Sequence, residues 1–432
     1  MLLDLPYLFA LAVLSPWIAW RALATRRYRR DLGAKLFGRV RIENLEGRPV
    51  AWFHAVSVGE VNLLGTLVPG FRERHPEWVV VVSSTTDTGL AEARKRFADL
   101  TVIAWPLDFS WAVRAALDAI RPRLIVLAES EMWPNFLKAA NRRNIPVAVV
   151  NARMSPRSFR RLQRVAGLAR RLLFNRVSRF AVQEEDYANR FRELGVDPAR
   201  IVTTGSIKYD GAAGERDTPK TRELCTLLAA EGNLVLLAGS THAPEESLVL
   251  AAFANLHARH SNLKLILVPR HPDRFEEVAK LVEHSGLPFV RRSRVTEPLE
   301  AMPAVVLLDT VGELGAAWGL AHLGFTGGSL DGRRGGQSMI EPAGYGVPCV
   351  FGPHVWNFKD AAKRLVEVGG AIMLPEAASL EPQLDRLIAD ESLRERMGET
   401  ARQLVRKQQG ATQRTLDVLD ELIRSAELRR AA

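Results

Sequence analysis

Glu60 closes the heptapeptide His54-Ala-Val-Ser-Val-Gly-Glu60, in which a carboxylate follows a short apolar run, Val50–Phe53. Apolar residues recur behind it at helical spacing, so the pattern predicts a strand, a turn and a helix. A carboxylate on the loop or first turn that leaves a buried parallel strand lies where open α/β sheets bind ligands. There it can act as a general base. The alternative is a purely structural role, because acidic residues are favoured at helix N-termini.

Two further segments of the first half carry charged residues suited to the same chemistry. Glu129-Ser-Glu-Met-Trp-Pro-Asn135 follows the apolar run Leu124–Ala128, and two carboxylates beside a buried strand are costly unless something uses them. An acidic cap on the helix that begins near Pro134 would explain only one of the two. Lys208 ends the segment Gly205-Ser-Ile-Lys208. A lysine after a small-residue turn can offset phosphate charge, although a surface lysine is the commoner outcome.

The second half contains residues suited to holding an anion. Arg270 follows an apolar run in Val268-Pro-Arg-His-Pro272 and could grip a phosphate through two hydrogen bonds. Thr310-Val-Gly-Glu313 and Ser338-Met-Ile-Glu341 have the form of a capping box, in which a hydroxyl caps a helix and a glutamate reciprocates. Backbone N–H groups at such a helix start, behind the glycine-rich segment Gly327–Gly336, would form an anion site.

These residues fall between the elements of two series of alternating strands and helices. The polar, glycine-rich segment 209–219 separates the series. The pattern predicts an α/β fold of two Rossmann-like domains that face one another across a cleft. No GxGxxG fingerprint or GxxxxGK[ST] loop is present, which argues against a dinucleotide oxidoreductase or a P-loop enzyme. The predicted strands are Val50–His54, Trp78–Ser83, Val102–Trp105, Leu124–Ala128, Val147–Asn151, Phe180–Gln183, Leu234–Ala238, Leu263–Val268, Val305–Asp309, Leu323–Thr326 and Val347–Phe351.

The N-terminus is apolar and then basic. No charged residue occurs from Leu5 to Trp20, and a cluster of arginines follows from Arg21. The apolar run is short for a membrane span and lacks a small-residue cleavage site. We therefore predict an uncleaved anchor, or a helix that lies in the membrane interface, with the next domain on the cytoplasmic side. A buried core helix is the alternative. The predicted boundaries are 1–30 for this anchor and its basic flank, 31–212 and 213–400 for the two Rossmann-like domains, and 401–432 for a helical tail.

The composition indicates an anionic partner. Fifty-nine Lys and Arg residues against forty-nine Asp and Glu residues leave a formal net charge of +10. No aromatic-interleaved basic tract supports nucleic acid, whereas an acidic membrane surface or a phosphorylated substrate fits equally well. Cys225 and Cys349 lie far apart in apolar surroundings, which suggests a reducing compartment. No His, Cys or Asp cluster has metal-ligand spacing, so no metal site is predicted.

Eight segments of the chain also resemble those of a known family. HAVSVGE, ESEMWPN, NARMSPRS, GSIK, VPRHPDRF, DTVGEL, the glycine-rich run through VFGP and NFKD occur in this order over nearly the whole chain. Together they resemble the bacterial Kdo transferases, which move 3-deoxy-D-manno-oct-2-ulosonic acid (Kdo) from CMP-Kdo to a lipid A precursor. The resemblance implies a two-domain fold of the GT-B glycosyltransferase type and an inverting, metal-independent reaction without a cofactor. It further implies lipopolysaccharide synthesis at the anionic cytoplasmic face of the inner membrane, and no nucleic-acid partner.

The same resemblance assigns roles to residues by motif. Glu60 would be the general base that deprotonates the acceptor hydroxyl, and Glu129 and Lys208 would stabilise the transition state. Acceptor chemistry would belong to the first domain and CMP-Kdo binding to the second. The residues implied to hold CMP are Pro269, Arg270, Val311, Gly312, Glu313, Ser338, Met339, Ile340 and Glu341.

Two adjacent positions depart from the family pattern. The glycine-rich segment usually continues into His-Asn, but Gln337 and Ser338 stand there in this chain. Serine caps a helix as well as asparagine does, so we expect Ser338 to cap the helix that leads to Glu341. Any contact made by the histidine would be lost.

Two other functions compete with Kdo transfer. One is a GT-B transferase that uses another nucleotide sugar. The other is a catalytically silent, membrane-anchored carbohydrate-binding protein, which would have no need of the base Glu60.

Overall fold

The computed structural model describes residues 4–5, 7–9, 13, 31–42, 47–212 and 214–431. They form two compact units: one comprises the chain up to Asp210 together with the residues from Gln409 on, and the other is Gly211–Gln408. The predicted anchor at 1–30 lies mostly outside the described residues. Among the helices that are described, none is both long and apolar enough to cross a membrane.

The first unit is built on a parallel sheet of seven strands in the order β3-β2-β1-β4-β5-β6-β7. The central strands β1, β4 and β5 are buried along their whole length, as expected where helices cover both faces of a parallel sheet. The strands are β1 (Val50–Ala55), β2 (Val79–Ser84), β3 (Thr101–Ala104), β4 (Leu124–Ala128), β5 (Val147–Ala152), β6 (Arg179–Val182) and β7 (Ile201–Thr203). The helices are α1 (Leu32–Phe37), α2 (Val58–Arg74), α3 (Asp87–Arg96), α4 (Ser110–Ile120), α5 (Pro134–Arg142), α6 (Pro156–Gln163), α7 (Ala166–Leu172) and α8 (Glu185–Glu193).

The second unit repeats this architecture with a seven-stranded parallel sheet in the order β10-β11-β9-β8-β12-β13-β14. Its strands are β8 (Leu234–Thr241), β9 (Leu263–Pro269), β10 (Phe289–Arg291), β11 (Val305–Leu307), β12 (Leu323–Thr326), β13 (Cys349–Phe351) and β14 (Ala371–Met373). Its helices are α9 (Pro219–Leu228), α10 (Glu245–Arg259), α11 (Phe275–His284), α12 (Leu314–Leu320), α13 (Ile340–Gly344), α14 (Lys359–Glu367), α15 (Leu380–Ala389) and α16 (Glu391–Gln408).

The predicted tail at 401–432 is not a single element in the structure. Residues up to 408 belong to α16 of the second unit, whereas α17 (Ala411–Ala431) belongs to the first unit. Apolar side chains of α17, including Leu416, Leu419 and Leu422, are buried in the core beneath the first sheet. A Cβ atom added at Gly70 would lie 2.8 Å from Leu416, so α17 packs closely on α2.

In each sheet the order in which the chain adds strands reverses at one point, and ligands are expected beside these points. In the first sheet the chain builds outward from β1 on one side and from β4 on the other. In the second sheet the corresponding neighbours are β8 and β12. Open α/β sheets bind ligands beside such switch points, at the carboxyl ends of the strands. The residues that follow β1, β4, β8 and β12 are therefore the first candidates for a functional site.

Candidate active site

Glu60 lies in the first turn of α2, directly after β1. Ser57 caps this helix: its Oγ accepts a hydrogen bond from the Glu60 N–H at 3.4 Å and donates one to Glu60 Oε1 at 3.0 Å. The Val56 N–H donates to the other carboxylate oxygen at 2.9 Å. This is a variant of the capping box, in which the glutamate accepts from the N–H of the residue before the cap and from the cap's hydroxyl. The structural role considered for Glu60 is therefore present, and it also fixes the direction of the carboxylate.

The electrostatic surroundings of Glu60 differ from those of an ordinary helix cap. Burial raises the pKa of Glu60 to about 7, and the negative charges of Glu129 and Glu131 add to this rise, whereas the Val56 and Ser57 donors oppose it. A base with a pKa near the working pH is best placed to take a proton in the transition state. Each carboxylate oxygen has more than one lone pair, so a capped Glu60 can still accept a hydrogen bond from a substrate hydroxyl.

Glu129 follows β4, the neighbour of β1, and its backbone is in the left-handed region with φ 56°. Such a conformation costs a residue with a Cβ about 1–2 kcal/mol. Glu129 is 8% exposed, and its carboxylate lies 2.8 Å from Arg153 Nε and 3.5 Å from Lys208 Nζ. The structure thus brings together Glu129 and Lys208, two of the residues singled out in the sequence. With Arg153 the three side chains carry a formal charge of +1.

Two residues of this cluster have roles that the sequence did not indicate. Arg153 is the first residue after β5, and this position directly behind a strand end is the feature from which it could have been predicted. Asn151, with φ 51°, accepts a hydrogen bond from the Ile207 N–H at 3.1 Å. It thereby holds the turn that carries Lys208.

His54 has a packing role: its ring stacks on Trp105 at 3.7 Å between centroids, and burial lowers its pKa to about 3, so it is neutral.

The second unit places Arg270, Glu313 and Glu341 at the carboxyl edge of its sheet. Arg270 follows β9 and is exposed. Burial raises the pKa of Glu341, and the charge of Arg270 opposes the rise, so these two groups lie within each other's field. Glu313 accepts hydrogen bonds from Arg292 at 2.8 Å and from the Thr310 hydroxyl. Arg292 was not identified from the sequence, because it follows an edge strand of only three residues.

The capping boxes predicted at Thr310–Glu313 and Ser338–Glu341 are wrong. Helix α12 begins after Glu313, and α13 begins after Met339; neither has a side-chain cap. In the first case Gly312, at φ 93°, turns the chain so that Thr310 meets the glutamate side chain instead. In the second the helix starts one residue too late for Ser338 to be the cap. Met339 and Ile340 are 0% and 2% exposed, and their burial sets that register.

The glycine-rich loop after β12 holds a carboxylate of the protein itself. Glu245 accepts hydrogen bonds from the N–H groups of Gly328, Ser329 and Leu330 at 2.7, 2.8 and 3.1 Å, and from the His242 N–H at 3.0 Å. These three amides of the glycine-rich loop therefore donate to Glu245, whereas the anion site predicted at the helix start behind the glycines concerns other amides and stays a prediction. Glu245 instead ties the loop after β12 to the end of β8.

Gln337, where the chain departs from the family pattern, contacts His242. The Nδ1 atom of His242 lies 2.6 Å from Arg334 Nη1, and its Nε2 atom lies 3.2 Å from the Gln337 side-chain amide. A guanidinium only donates hydrogen bonds, so Nδ1 must accept and Nε2 must carry the proton. The amide oxygen of Gln337 must then face the ring. Burial, reinforced by Arg334, lowers the pKa of His242 to about 4, which agrees with a neutral ring.

Within the described part of the chain, no group of three or more His, Cys, Asp or Glu side chains is placed to hold a metal ion. Cations that the structure places near the two sheet edges include Arg153 and Lys208 in the first unit and Arg270 and Arg292 in the second.

Comparison with known proteins decides the family. A family model described as 3-deoxy-D-manno-octulosonic-acid transferase (kdotransferase) matches residues 31–211. The 3-deoxy-D-manno-octulosonic acid transferase of Haemophilus influenzae is 33% identical over 370 residues, covering 85% of this chain and 86% of that protein. The chain belongs to the Kdo transferase family. The family member of Bordetella pertussis is 34% identical over 430 residues, covering 96% of this chain and 98% of its own.

Solved structures of low sequence identity confirm the fold of this Kdo transferase family member. The UDP-GlcNAc 2-epimerase of Neisseria meningitidis superposes with a TM-score of 0.55 at 11% identity, covering 87% of this chain and 100% of its own. A glycosyltransferase of Rickettsia africae gives 0.54 at 11% identity, covering 87% and 99%. The prediction of two Rossmann-like domains of the GT-B type is confirmed, and as a Kdo transferase the protein is a glycosyltransferase. That the domains face one another across a cleft stays a prediction.

Proposed function

We propose that the protein transfers Kdo from CMP-Kdo to a lipid A precursor of the lipid IVA type, with inversion at the anomeric carbon and without a metal ion or cofactor. Membership of the family supports the donor and the class of acceptor. The observation that carries the mechanism is Glu60, a capped glutamate with a raised pKa beside the switch point of the first sheet. Beside it, Glu129 and Arg153 follow the neighbouring strands β4 and β5, and Lys208 reaches Glu129 from the turn after β7.

The proposed reaction is a single displacement. Glu60 takes the proton of the acceptor hydroxyl as its oxygen bonds to the anomeric carbon of Kdo. The bond from that carbon to the phosphate oxygen breaks, and CMP leaves with the electron pair. Attack opposite the leaving group inverts the configuration. Lys208 and Arg153 offset the negative charge that develops, in the manner of preorganised cations, and Glu129 fixes both of them.

The donor site is proposed at the carboxyl edge of the second sheet. Arg270 would bind the phosphate, and Glu341 and Glu313 would accept hydrogen bonds from sugar hydroxyls. Val311, which precedes Gly312, is 78% exposed and so offers an apolar contact for the cytosine ring of CMP. Met339 and Ile340 would contribute through backbone atoms, because their side chains are buried in the core. Pro269 would do the same, because a proline has no polar side chain.

The experiment that tests this function is product analysis. Purified protein is incubated with CMP-Kdo and a detergent-dispersed lipid IVA acceptor, and the products are weighed by mass spectrometry. We expect the acceptor to gain Kdo with release of an equal amount of CMP. Transfer from a different nucleotide sugar, with none from CMP-Kdo, would favour the other GT-B specificity. Binding of both substrates without product would favour the silent carbohydrate-binding protein.

Membrane association at the cytoplasmic face of the inner membrane also belongs to this proposal. It follows from the lipid nature of the acceptor and from the apolar and basic residues predicted as an anchor at 1–30. Fractionation of the full chain without detergent would overturn it if the protein were recovered as soluble.

A further inference from the structure

The segment 132–183 is strongly basic and contains no acidic residue. It has twelve Lys and Arg residues and no Asp or Glu. Helices α6 and α7 and the link between them lie at its centre and expose six arginines: Arg157, Arg160, Arg161, Arg164, Arg170 and Arg171. Among the described residues, none of these six forms an ion pair. A surface with this many unpaired cations repels itself and attracts an extended anionic partner.

Exposed apolar side chains accompany these arginines. Val165 and Leu168, at the junction of the two helices, are 48% and 56% exposed. On the opposite side Phe159 and Leu162 pack against the core cluster of the first sheet. This packing fixes α6 and α7 on the body of the unit, with the arginines, Val165 and Leu168 directed outward.

We propose that this α6–α7 surface, formed by the six arginines with Val165 and Leu168, docks the protein on an anionic phospholipid bilayer. Peripheral membrane surfaces combine clustered Lys or Arg, attracted to anionic headgroups, with a few apolar side chains that enter the acyl boundary. Single-stranded nucleic acid fits less well, because its binding sites add exposed aromatic rings for stacking. The one aromatic residue of these helices, Phe159, is packed against the core.

The position of the surface also suits a lipid-borne acceptor, a consequence that rests on the proposed function. Helix α6 follows Arg153 by two residues, and Arg153 pairs with Glu129 at the candidate active site. The α6–α7 surface therefore begins within a few residues, along the chain, of the sheet edge where the acceptor hydroxyl must arrive. This surface is distinct from residues 1–30, so the protein would have two separate membrane contacts.

The test uses the full chain and vesicles of two compositions, neutral phosphatidylcholine and phosphatidylcholine with phosphatidylglycerol. The readout is the ratio of the partition coefficients on anionic and neutral vesicles, because the apolar N-terminus contributes to both. The variant replaces four arginines of the surface with glutamine: Arg157, Arg160, Arg161 and Arg164. We expect this ratio to fall by more than about tenfold, because each basic residue near an anionic surface contributes a severalfold factor.

The matched control carries the same change in charge elsewhere on the exposed surface, with four Arg→Gln substitutions: Arg114, Arg121, Arg396 and Arg406. Its ratio should change less than about threefold, the effect of net charge alone. Equal ratios in the two quadruple variants would overturn the proposal. A second variant, Val165→Ser with Leu168→Ser, should weaken binding to both vesicle types, and unchanged binding would remove the apolar part of the surface.

Kdo transfer to detergent-dispersed acceptor is measured in parallel and separates this inference from the proposed function. We expect the quadruple variant to keep its turnover and KM there. Normal vesicle binding with a raised KM for the dispersed acceptor would assign the surface to the acceptor's anionic groups and overturn membrane docking. Loss of vesicle binding in a chain that never transfers Kdo would support the surface while the proposed function failed.

Discussion

Glu60 shows how one side chain can serve the fold and the reaction together. The capping contacts with Ser57 and Val56 hold the carboxylate in one orientation, and partial burial keeps its pKa high. A surface cap would be fully ionised at neutral pH and a poor base. The combination of a reciprocal cap with a raised pKa is what separates Glu60 from an ordinary acidic residue at a helix start.

The raised pKa gives a pH dependence with a definite sign. Glu60 must be ionised to accept a proton, so kcat/KM for the acceptor should rise about tenfold per unit below a pH of about 7 and level off above it. Ser57→Ala removes a donor that lowers the pKa and should move the profile to higher pH. Glu129→Gln removes a like charge and should move it to lower pH. If the pH profiles of the two variants shift in the same direction, or do not shift, another group is being titrated.

Gln337 yields a second prediction at this scale. The Gln337 side-chain amide lies 3.2 Å from Nε2 of the nearly fully buried His242 ring. Because Nε2 must carry the proton, the amide oxygen is its acceptor, and Gln337→Leu should leave that N–H without a partner. The expected loss is about 1–3 kcal/mol in the free energy of unfolding, measured by chemical denaturation. Gln337→Glu keeps an acceptor and is the control. A leucine variant as stable as the parent would mean that the contact carries no weight.

Motifs and positions behind strand ends identified much of the candidate site, but not the partners of its side chains. Glu60, Glu129 and Lys208 were all indicated by what precedes them in the chain, and the structure brings Glu129 and Lys208 together. The contact of Glu245 with Gly328 spans 83 residues, and no local pattern signals it. Pairings of this kind depend on how the strands are ordered, which a single sequence does not reveal.

At the scale of elements, most strands were predictable and three strands at the sheet edges were not. Runs such as Leu124–Ala128 and Val305–Asp309 have enough apolar residues to be recognised, even though the second holds a strand of only three residues. The missed strands β7, β10 and β14 lie at sheet edges, have three residues each and show no readable period. Helix starts failed for a different reason. Ser57 caps α2, but Met339 and not Ser338 stands at the cap position of α13, where Met339 and Ile340 are both buried.

Glu245 should be a structural anchor of the second unit. It accepts four backbone hydrogen bonds, and Glu245→Gln replaces one acceptor oxygen with an NH₂ group that faces N–H donors. We expect a loss of about 2–3 kcal/mol in the free energy of unfolding, and faster hydrogen exchange at Gly328–Leu330. Glu297→Gln, at an exposed position of the same unit, is the control. Unchanged exchange in the Glu245 variant would contradict this role.

At the scale of the whole molecule, the two units bind different substrates in the proposed reaction. The first carries the base and the acceptor chemistry, and the second carries the residues proposed for CMP-Kdo. The chain is not divided simply, because α17 returns to the core of the first unit. Its apolar residues were visible in the sequence, but the unit on which it packs depends on contacts between distant parts of the chain.

Charge distribution over the molecule leads to a prediction about metal removal. Lys208 and Arg153 in the first unit and Arg270 in the second can provide the positive field that a divalent ion gives other transferases. Kdo transfer should therefore persist at full rate in excess EDTA. The measurement is initial velocity before and after chelation. A loss of activity that added Mg²⁺ restores would show that these cations do not suffice.

The central claim is that Glu60 is the base of Kdo transfer, and one substitution tests it most directly. Glu60→Gln keeps the size of the side chain: its amide oxygen can accept from the Val56 N–H and its NH₂ group can donate to the Ser57 hydroxyl oxygen, but it cannot take a proton. We predict a fall in kcat of about two to four orders of magnitude, with CMP affinity by calorimetry and thermal stability close to those of the parent. Glu131→Gln, the same change at a neighbouring glutamate, should cost less than about tenfold. Turnover of Glu60→Gln within a factor of about ten of the parent would contradict the claim.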